Sequence, residues 1–162
     1  MIATLRTLAL TATLALLPAA HAQVSMDAQP RPKAYVLFAS EAQTIPAGKP
    51  ATLELRFQVV PGFHVNSHTP KSQLLIPTTL TLQNASGVTP GELKYPAGQA
   101  YSFSFDPGDK LDVYAGAFTV KLPVTATPGA HTLDGSLRYQ ACDNAACYPP
   151  RTLPVKVVFT AK

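Results

Sequence analysis

Thr52-Leu53-Glu54-Leu55-Arg56-Phe57-Gln58-Val59 decides the fold. Leu53, Leu55, Phe57 and Val59 alternate with polar Thr52, Glu54, Arg56 and Gln58, the period-2 pattern of a strand with one buried face. Phe118, Val120, Leu122 and Val124 repeat it, with Pro123 hinting at an edge or a bulge. Leu133, Gly135, Leu137 and Tyr139 form a third run and Val155, Val157 and Phe159 a fourth. Shorter strand candidates are residues 34–39, 63–66 and 80–83. Pro61-Gly62, Pro107-Gly108 and Pro128-Gly129 mark turns. No stretch of the mature region reads as a helix of three turns. The sixteen prolines, most of them between short apolar runs, argue the same way. The expectation is an all-β chain of roughly seven to nine antiparallel strands in an immunoglobulin-like sandwich.

Residues 1–22 read as a secretory signal peptide. Arg6 supplies the basic start, Leu8 to Leu17 the apolar centre, and Ala20-His21-Ala22 a small-x-small cleavage site. The apolar centre is about half the roughly twenty residues needed to span a bilayer. With no cysteine following the cleavage site, a lipid anchor is not indicated. Residues 23–33 are polar and read as a mobile lead-in, and 34–162 as one domain, long enough to bury a sizeable core. The mature chain should then be a soluble monomer in an oxidising compartment, the periplasm, with no membrane insertion. Apart from Arg6, the charge behind the formal net +4 is spread without a basic run. Nucleic-acid binding is therefore not expected.

Cys142 and Cys147 are the only cysteines. They lie between the third and fourth apolar runs, on the turn of an expected β-hairpin. Such a pair is either a structural staple or a dithiol that cycles between reduced and oxidised states. Closing so short a loop stabilises by only about 2 kcal/mol in the chain-entropy account. A domain of this length has little need of so local a staple.

Tyr139-Gln140-Ala141-Cys142, four intervening residues, and Cys147-Tyr148-Pro149-Pro150 resemble the active-site hairpin of the N-terminal periplasmic domain of DsbD, the thiol:disulfide interchange reductase. Pro61-Gly62-Phe63-His64-Val65 and Asp112-Val113-Tyr114 to Leu122-Pro123-Val124 add weaker matches, and the likeness runs from Ala34 to Thr160. The resemblance implies an immunoglobulin-like module without a cofactor. It would take electrons from a thioredoxin-like donor and pass them to periplasmic thioredoxin-fold acceptors, including cytochrome c maturation proteins, through mixed disulfides. By position Cys147 would form the mixed disulfide and Cys142 would resolve it. Better-known members carry five residues between the cysteines. They are also fused to a membrane electron-transfer domain and a thioredoxin domain, whereas fifteen residues follow Cys147 here. Electrons would therefore come from a separate protein.

In the family an aromatic cap loop shields the disulfide. Tyr101-Ser102-Phe103-Ser104-Phe105 lies in the matching region, so Phe103 or Phe105 could be the cap. Their alternation with Tyr101 equally fits core residues of a strand. Asp106 and Asp109 lie near this stretch but do not match the family's acidic residues one for one. His64 could neighbour the hairpin and bias a thiolate. His64, His68 and two thiolates could in principle bind zinc or copper. Against that, the strand should end near Thr69-Pro70, and Met26 is the only methionine after the signal region, so no metal site is expected. Tyr139 and Tyr148 read as packing walls of the hairpin. Asn84-Ala85-Ser86 is a glycosylation sequon of a kind common by chance.

Two functions therefore stand. One is a dithiol-disulfide exchange module of the protein-disulfide reductase type, with Cys142 and Cys147 as its reacting pair. The other is an exported immunoglobulin-like binding or assembly domain with a purely structural disulfide.

Overall fold

The computed structural model describes residues 32–103 and 106–162. The expected signal peptide and most of the lead-in lie outside the described residues, as does Phe105. The side chains of Asp106, Pro107 and Asp109 do so as well.

The described chain is an immunoglobulin-like β-sandwich, built from twelve strands rather than seven to nine. In order these are β1 (Val36–Phe38), β2 (Gln43–Ile45), β3 (Ala51–Val59), β4 (His64–Asn66), β5 (Thr79–Leu82) and β6 (Val88–Pro90). There follow β7 (Gln99–Phe103), β8 (Asp106–Tyr114), β9 (Ala117–Ala126), β10 (Gly129–Tyr139), β11 (Ala141–Cys142) and β12 (Arg151–Ala161). They form three four-stranded sheets ordered β1-β3-β9-β6, β2-β12-β10-β5 and β11-β4-β8-β7. All pairings are antiparallel except β2 with β12, which is parallel.

Alternation explains the first two sheets. Leu53, Leu55, Phe57 and Val59 of β3 are buried, and their partners Leu122, Val120 and Phe118 of β9 stand opposite in register. Leu133, Leu137 and Tyr139 of β10 and Val155, Val157 and Phe159 of β12 supply the facing set. These faces meet in one apolar cluster, where each fully buried Leu, Val or Phe contributes about 1.5–3 kcal/mol relative to exposure. Pro123 does not lie on an edge, because β9 runs between β3 and β6. It sits just outside the β6 pairing, where its carbonyl accepts the Gly91 amide at 2.8 Å.

The third sheet positions the site. Phe118 of β9 stacks on Phe57 at 5.1 Å and on Tyr114 of β8 at 4.6 Å, fixing this sheet to the sandwich through aromatic contact. Val65, Tyr114 and Ala141 complete the join by entering the common core. Two of the expected turns form: Pro61-Gly62, with Gly62 at φ 84°, and Pro128-Gly129 between β9 and β10. Pro107-Gly108 instead lies within β8, whose pairing with β7 shifts register between Tyr101 and Phe103. That irregularity accommodates a Pro-Gly pair inside a ladder.

Candidate functional site

The hairpin of β10 and β12 pairs along eleven residues, from Gly129 opposite Ala161 to Tyr139 opposite Arg151. Beyond Tyr139 the chain leaves this ladder and pairs as β11 with β4, setting Ala141 opposite Val65 and Cys142 opposite His64. The hairpin tip is thus transferred to the third sheet. Gln140 sits at the crossing point: its side-chain oxygen accepts the Ile76 amide at 3.4 Å and the Asn66 side-chain amide at 3.3 Å.

Cys142 and Cys147 form a disulfide with Cα atoms 3.9 Å apart. Their environments differ sharply. Cys142 is fully buried, whereas Cys147 is exposed. The loop between them is closed by local hydrogen bonds. The Asp143 amide donates to the Ala146 carbonyl at 3.0 Å, and the Tyr148 amide donates to the Ala141 carbonyl at 2.8 Å. Oδ1 of Asp143 accepts the amides of Ala145 and Ala146, each at 2.8 Å. Oδ2 of Asp143 accepts the hydroxyl of Tyr148. An Asp that takes backbone amides two and three residues ahead substitutes for the glycine this turn lacks. The Tyr148 hydroxyl and then the two amides hold the Asp143 carboxyl below its ordinary range, so it is ionised near neutrality.

Behind the loop, Tyr148 stacks on Tyr35 at 5.2 Å, and Phe63 packs against Tyr35 at 4.7 Å. Arg151 lies over the same Tyr35 ring at 4.4 Å and donates to the Pro32 and Lys33 carbonyls. Tyr139 is 1% exposed, and its hydroxyl accepts the Tyr35 amide at 3.2 Å. Tyr139 is therefore a wall of the hairpin's base. Tyr148 packs too, but its hydroxyl also orders the loop.

β7 is the edge strand of the third sheet, separated from β4 by β8. Tyr101 packs on His64 with ring centroids 4.0 Å apart, Phe103 lies 5.9 Å from the same imidazole, and the two aromatics meet edge to face at 5.5 Å. The Tyr101 hydroxyl donates to Oδ1 of Asn144 in the cysteine loop at 2.8 Å. Tyr101 and Phe103 are both half-buried. Both belong to strand β7 and lie against His64 rather than in the main apolar core.

His64 is 3% exposed, and its Nε2 has no hydrogen-bond partner among the described residues. Burial pushes its pKa down, and the nearby Asp143 carboxylate pulls it back up in part. His68 faces elsewhere, stacked on Tyr95 at 3.6 Å with Nδ1 3.0 Å from the Thr78 carbonyl. Among the described residues no group of three His, Cys, Asp or Glu side chains gathers as a metal site would require.

Sequence reasoning pointed to Cys142 and Cys147 with Phe103, Phe105, His64, Tyr139 and Tyr148 as neighbours; of these Phe105 lies outside the described residues. It missed Asp143, Asn144 and the hydroxyl of Tyr101. An Asp directly after the first cysteine, followed by a loop without glycine, was the available signal for the Asx turn.

The sequence matches the family model of the N-terminal domain of thiol:disulfide interchange protein DsbD over residues 33–158. Among solved structures it is similar to the reduced DsbD N-terminal domain of Neisseria meningitidis, at 18% identity and TM-score 0.43, covering 67% of this chain and 81% of that one. It is similar to the complex between the DsbD and PilB N-terminal domains of the same organism, at 18% identity and TM-score 0.43, covering 65% and 73%. It also shows likeness to native Escherichia coli alpha-2-macroglobulin, at 14% identity and TM-score 0.27, covering 79% of this chain and 7% of that one. No curated protein matches it.

Proposed function

The chain belongs to the family of the DsbD N-terminal domain, and we propose that it is a periplasmic dithiol-disulfide exchange module working through Cys142 and Cys147. The supporting observation is the asymmetry of the pair: an exposed Cys147 bonded to a buried Cys142. Exchange requires an incoming thiolate to approach one sulfur in line with the S–S bond, while the other sulfur leaves. A bulky protein donor can reach only an exposed sulfur. Its thiolate attacks Cys147 Sγ, a mixed disulfide forms, and the electron pair of the broken bond departs on Cys142 Sγ. A second donor thiol then releases Cys147, leaving the donor oxidised and this chain as a dithiol. Delivery runs the same steps backwards: Cys147 attacks an acceptor disulfide and Cys142 resolves the intermediate.

Donor and acceptors on this reading are thioredoxin-fold proteins, as the family resemblance implies. The signal-like residues 1–22 support export to the periplasm. Asp143, Tyr148 and Asn144 hold the loop so that Cys147 stays at its surface, and Tyr101 and Phe103 border the approach.

The test is equilibration of the purified disulfide against a thioredoxin-type dithiol, with Cys142→Ala used to trap the intermediate. Rapid reduction, and a mixed disulfide through Cys147 that accumulates only in the variant, are expected. Resistance to the donor, with a potential below about −300 mV, would overturn the proposal and leave the pair a structural staple.

A further inference from the structure

We propose that His64 accepts the proton of the Cys142 thiol when the Cys142–Cys147 disulfide re-forms. The inference rests on the exchange reading above and assigns that site a base.

Cys142 and His64 are direct partners across the antiparallel β11–β4 pair, so their side chains leave the same face of the sheet as nearest cross-strand neighbours. Both are buried, Cys142 completely and His64 to 3% exposure. A buried thiol holds its proton more tightly than an exposed one, and only the thiolate attacks. The resolving sulfur therefore sits where it needs a base, away from water that could serve. Buried polar atoms are nearly always satisfied, yet among the described residues His64 Nε2 has no hydrogen-bond partner while the disulfide is intact. A disulfide sulfur has no proton to offer, whereas the reduced Cys142 thiol would have one.

The surrounding groups favour the same assignment. Asp143 cannot easily be the base, because its carboxylate is occupied by Tyr148 and by the amides of Ala145 and Ala146. Its charge instead favours an imidazolium once formed. Tyr101 of β7 covers the imidazole face. Tyr114 of β8, opposite Val65, directs its hydroxyl to the Pro96 carbonyl and the His68 amide. Burial keeps His64 neutral near neutral pH, the form able to take a proton.

The step balances as follows. In the mixed disulfide, the Cys142 proton passes to His64, and Cys142 Sγ attacks Cys147 Sγ. The bond between Cys147 and the partner's sulfur breaks, and the partner cysteine leaves as a thiolate carrying the electron pair. The imidazolium then loses its proton to solvent. In the opposite direction the imidazolium returns a proton to the departing Cys142.

The experiment uses the reduced protein and the chromogenic disulfide dithiobis(nitrobenzoate). Cys147 attack releases the first nitrothiobenzoate, and Cys142 resolution releases the second. For His64→Phe, which keeps a ring against Tyr101, and for His64→Gln, the second phase at neutral pH should slow by about tenfold or more. It should converge on the wild-type rate at alkaline pH, where hydroxide ionises the thiol, while the first phase is nearly unchanged. A second phase that keeps the wild-type pH profile in either folded variant overturns the assignment, as does a deficit equal at every pH, which would mean a packing role. These outcomes are independent of the donor experiment: a wild-type protein that resolves normally yet resists every thioredoxin-type dithiol would refute the exchange function and leave the His64 assignment intact.

Discussion

Tyr101 on the edge strand and Asn144 in the cysteine loop are joined by a hydrogen bond of 2.8 Å from hydroxyl to Oδ1. Through it, the strand that carries Phe103 is tied to the loop that carries Cys147. Any movement of β7 away from the disulfide must break this bond. Tyr101 also packs on His64, so one side chain links the aromatic border, the loop and the buried histidine.

Tyr101→Phe keeps the ring and removes the link. A hydrogen bond of this exposed kind contributes about 1 kcal/mol or less net, so global stability should change little. The loop should open more often, and reduction of the disulfide by dithiothreitol should accelerate by up to about fivefold. Stopped-flow reduction of the two proteins side by side checks this. Equal rates would mean that the tie does not limit access to Cys147.

Asp143 should give the protein an acid-sensitive loop. Its pKa lies below the ordinary 3.8 in the folded chain, chiefly through Tyr148. The unfolded chain therefore binds more protons as pH falls through that value. The stability it contributes is complete above about pH 4 and is lost as pH falls through the lowered folded value. Asp143→Asn removes the charge and the acceptor for Tyr148. It should cost about 1 kcal/mol or less at neutral pH and flatten the acid limb of a plot of Tm against pH. An unaltered acid limb would dissociate this carboxylate from acid stability.

His64 acts in a separate window. Burial lowers its pKa from the ordinary 6.5, so protonation again favours the unfolded chain, now from about pH 6.5 downward. Stability should decline between that pH and the lowered folded value as the buried imidazole is forced to charge. His64→Phe should remove this part of the decline and leave the Asp143 limb in place. Thermal melts between about pH 7 and 5 decide it, and a variant that loses Tm as steeply as the wild type there would refute the linkage.

Legibility in the sequence followed local periodicity. The alternation at residues 52–59 and 118–124 was readable because each strand turns one face to a shared core. Gln43–Ile45 and Val88–Pro90 were not, since three-residue strands on sheet edges are too short to show a period. The third sheet as an assembly was not legible, although residues 63–66 already read as a strand. It gathers β4, the consecutive β7 and β8, and β11 from three separate stretches, and no single strand encodes its long-range partners. The cysteine pair was legible from residue type alone, but its asymmetry of burial arises from the transfer of Ala141–Cys142 onto β4. Pro107-Gly108 misled because turn chemistry also suits an irregular edge ladder.

If the disulfide serves exchange, the fold must survive without it. The bond closes a loop of only a few residues, so its removal should cost about 2 kcal/mol, while the two main sheets and their common core remain. Cys142→Ala with Cys147→Ala avoids placing a hydroxyl at the fully buried position 142. Leu55→Ala, at a fully buried position of β3, provides a scale, at about 2–5 kcal/mol for a core leucine. Urea unfolding of the three proteins should rank Leu55→Ala as equally or more damaging, with the double variant cooperative and its slope near that of the wild type. A redox carrier must spend part of each cycle as a dithiol, and that dithiol must keep its recognition surface. Loss of cooperative folding in the double variant would mean that the bridge holds the domain together, a role incompatible with being opened at every turnover.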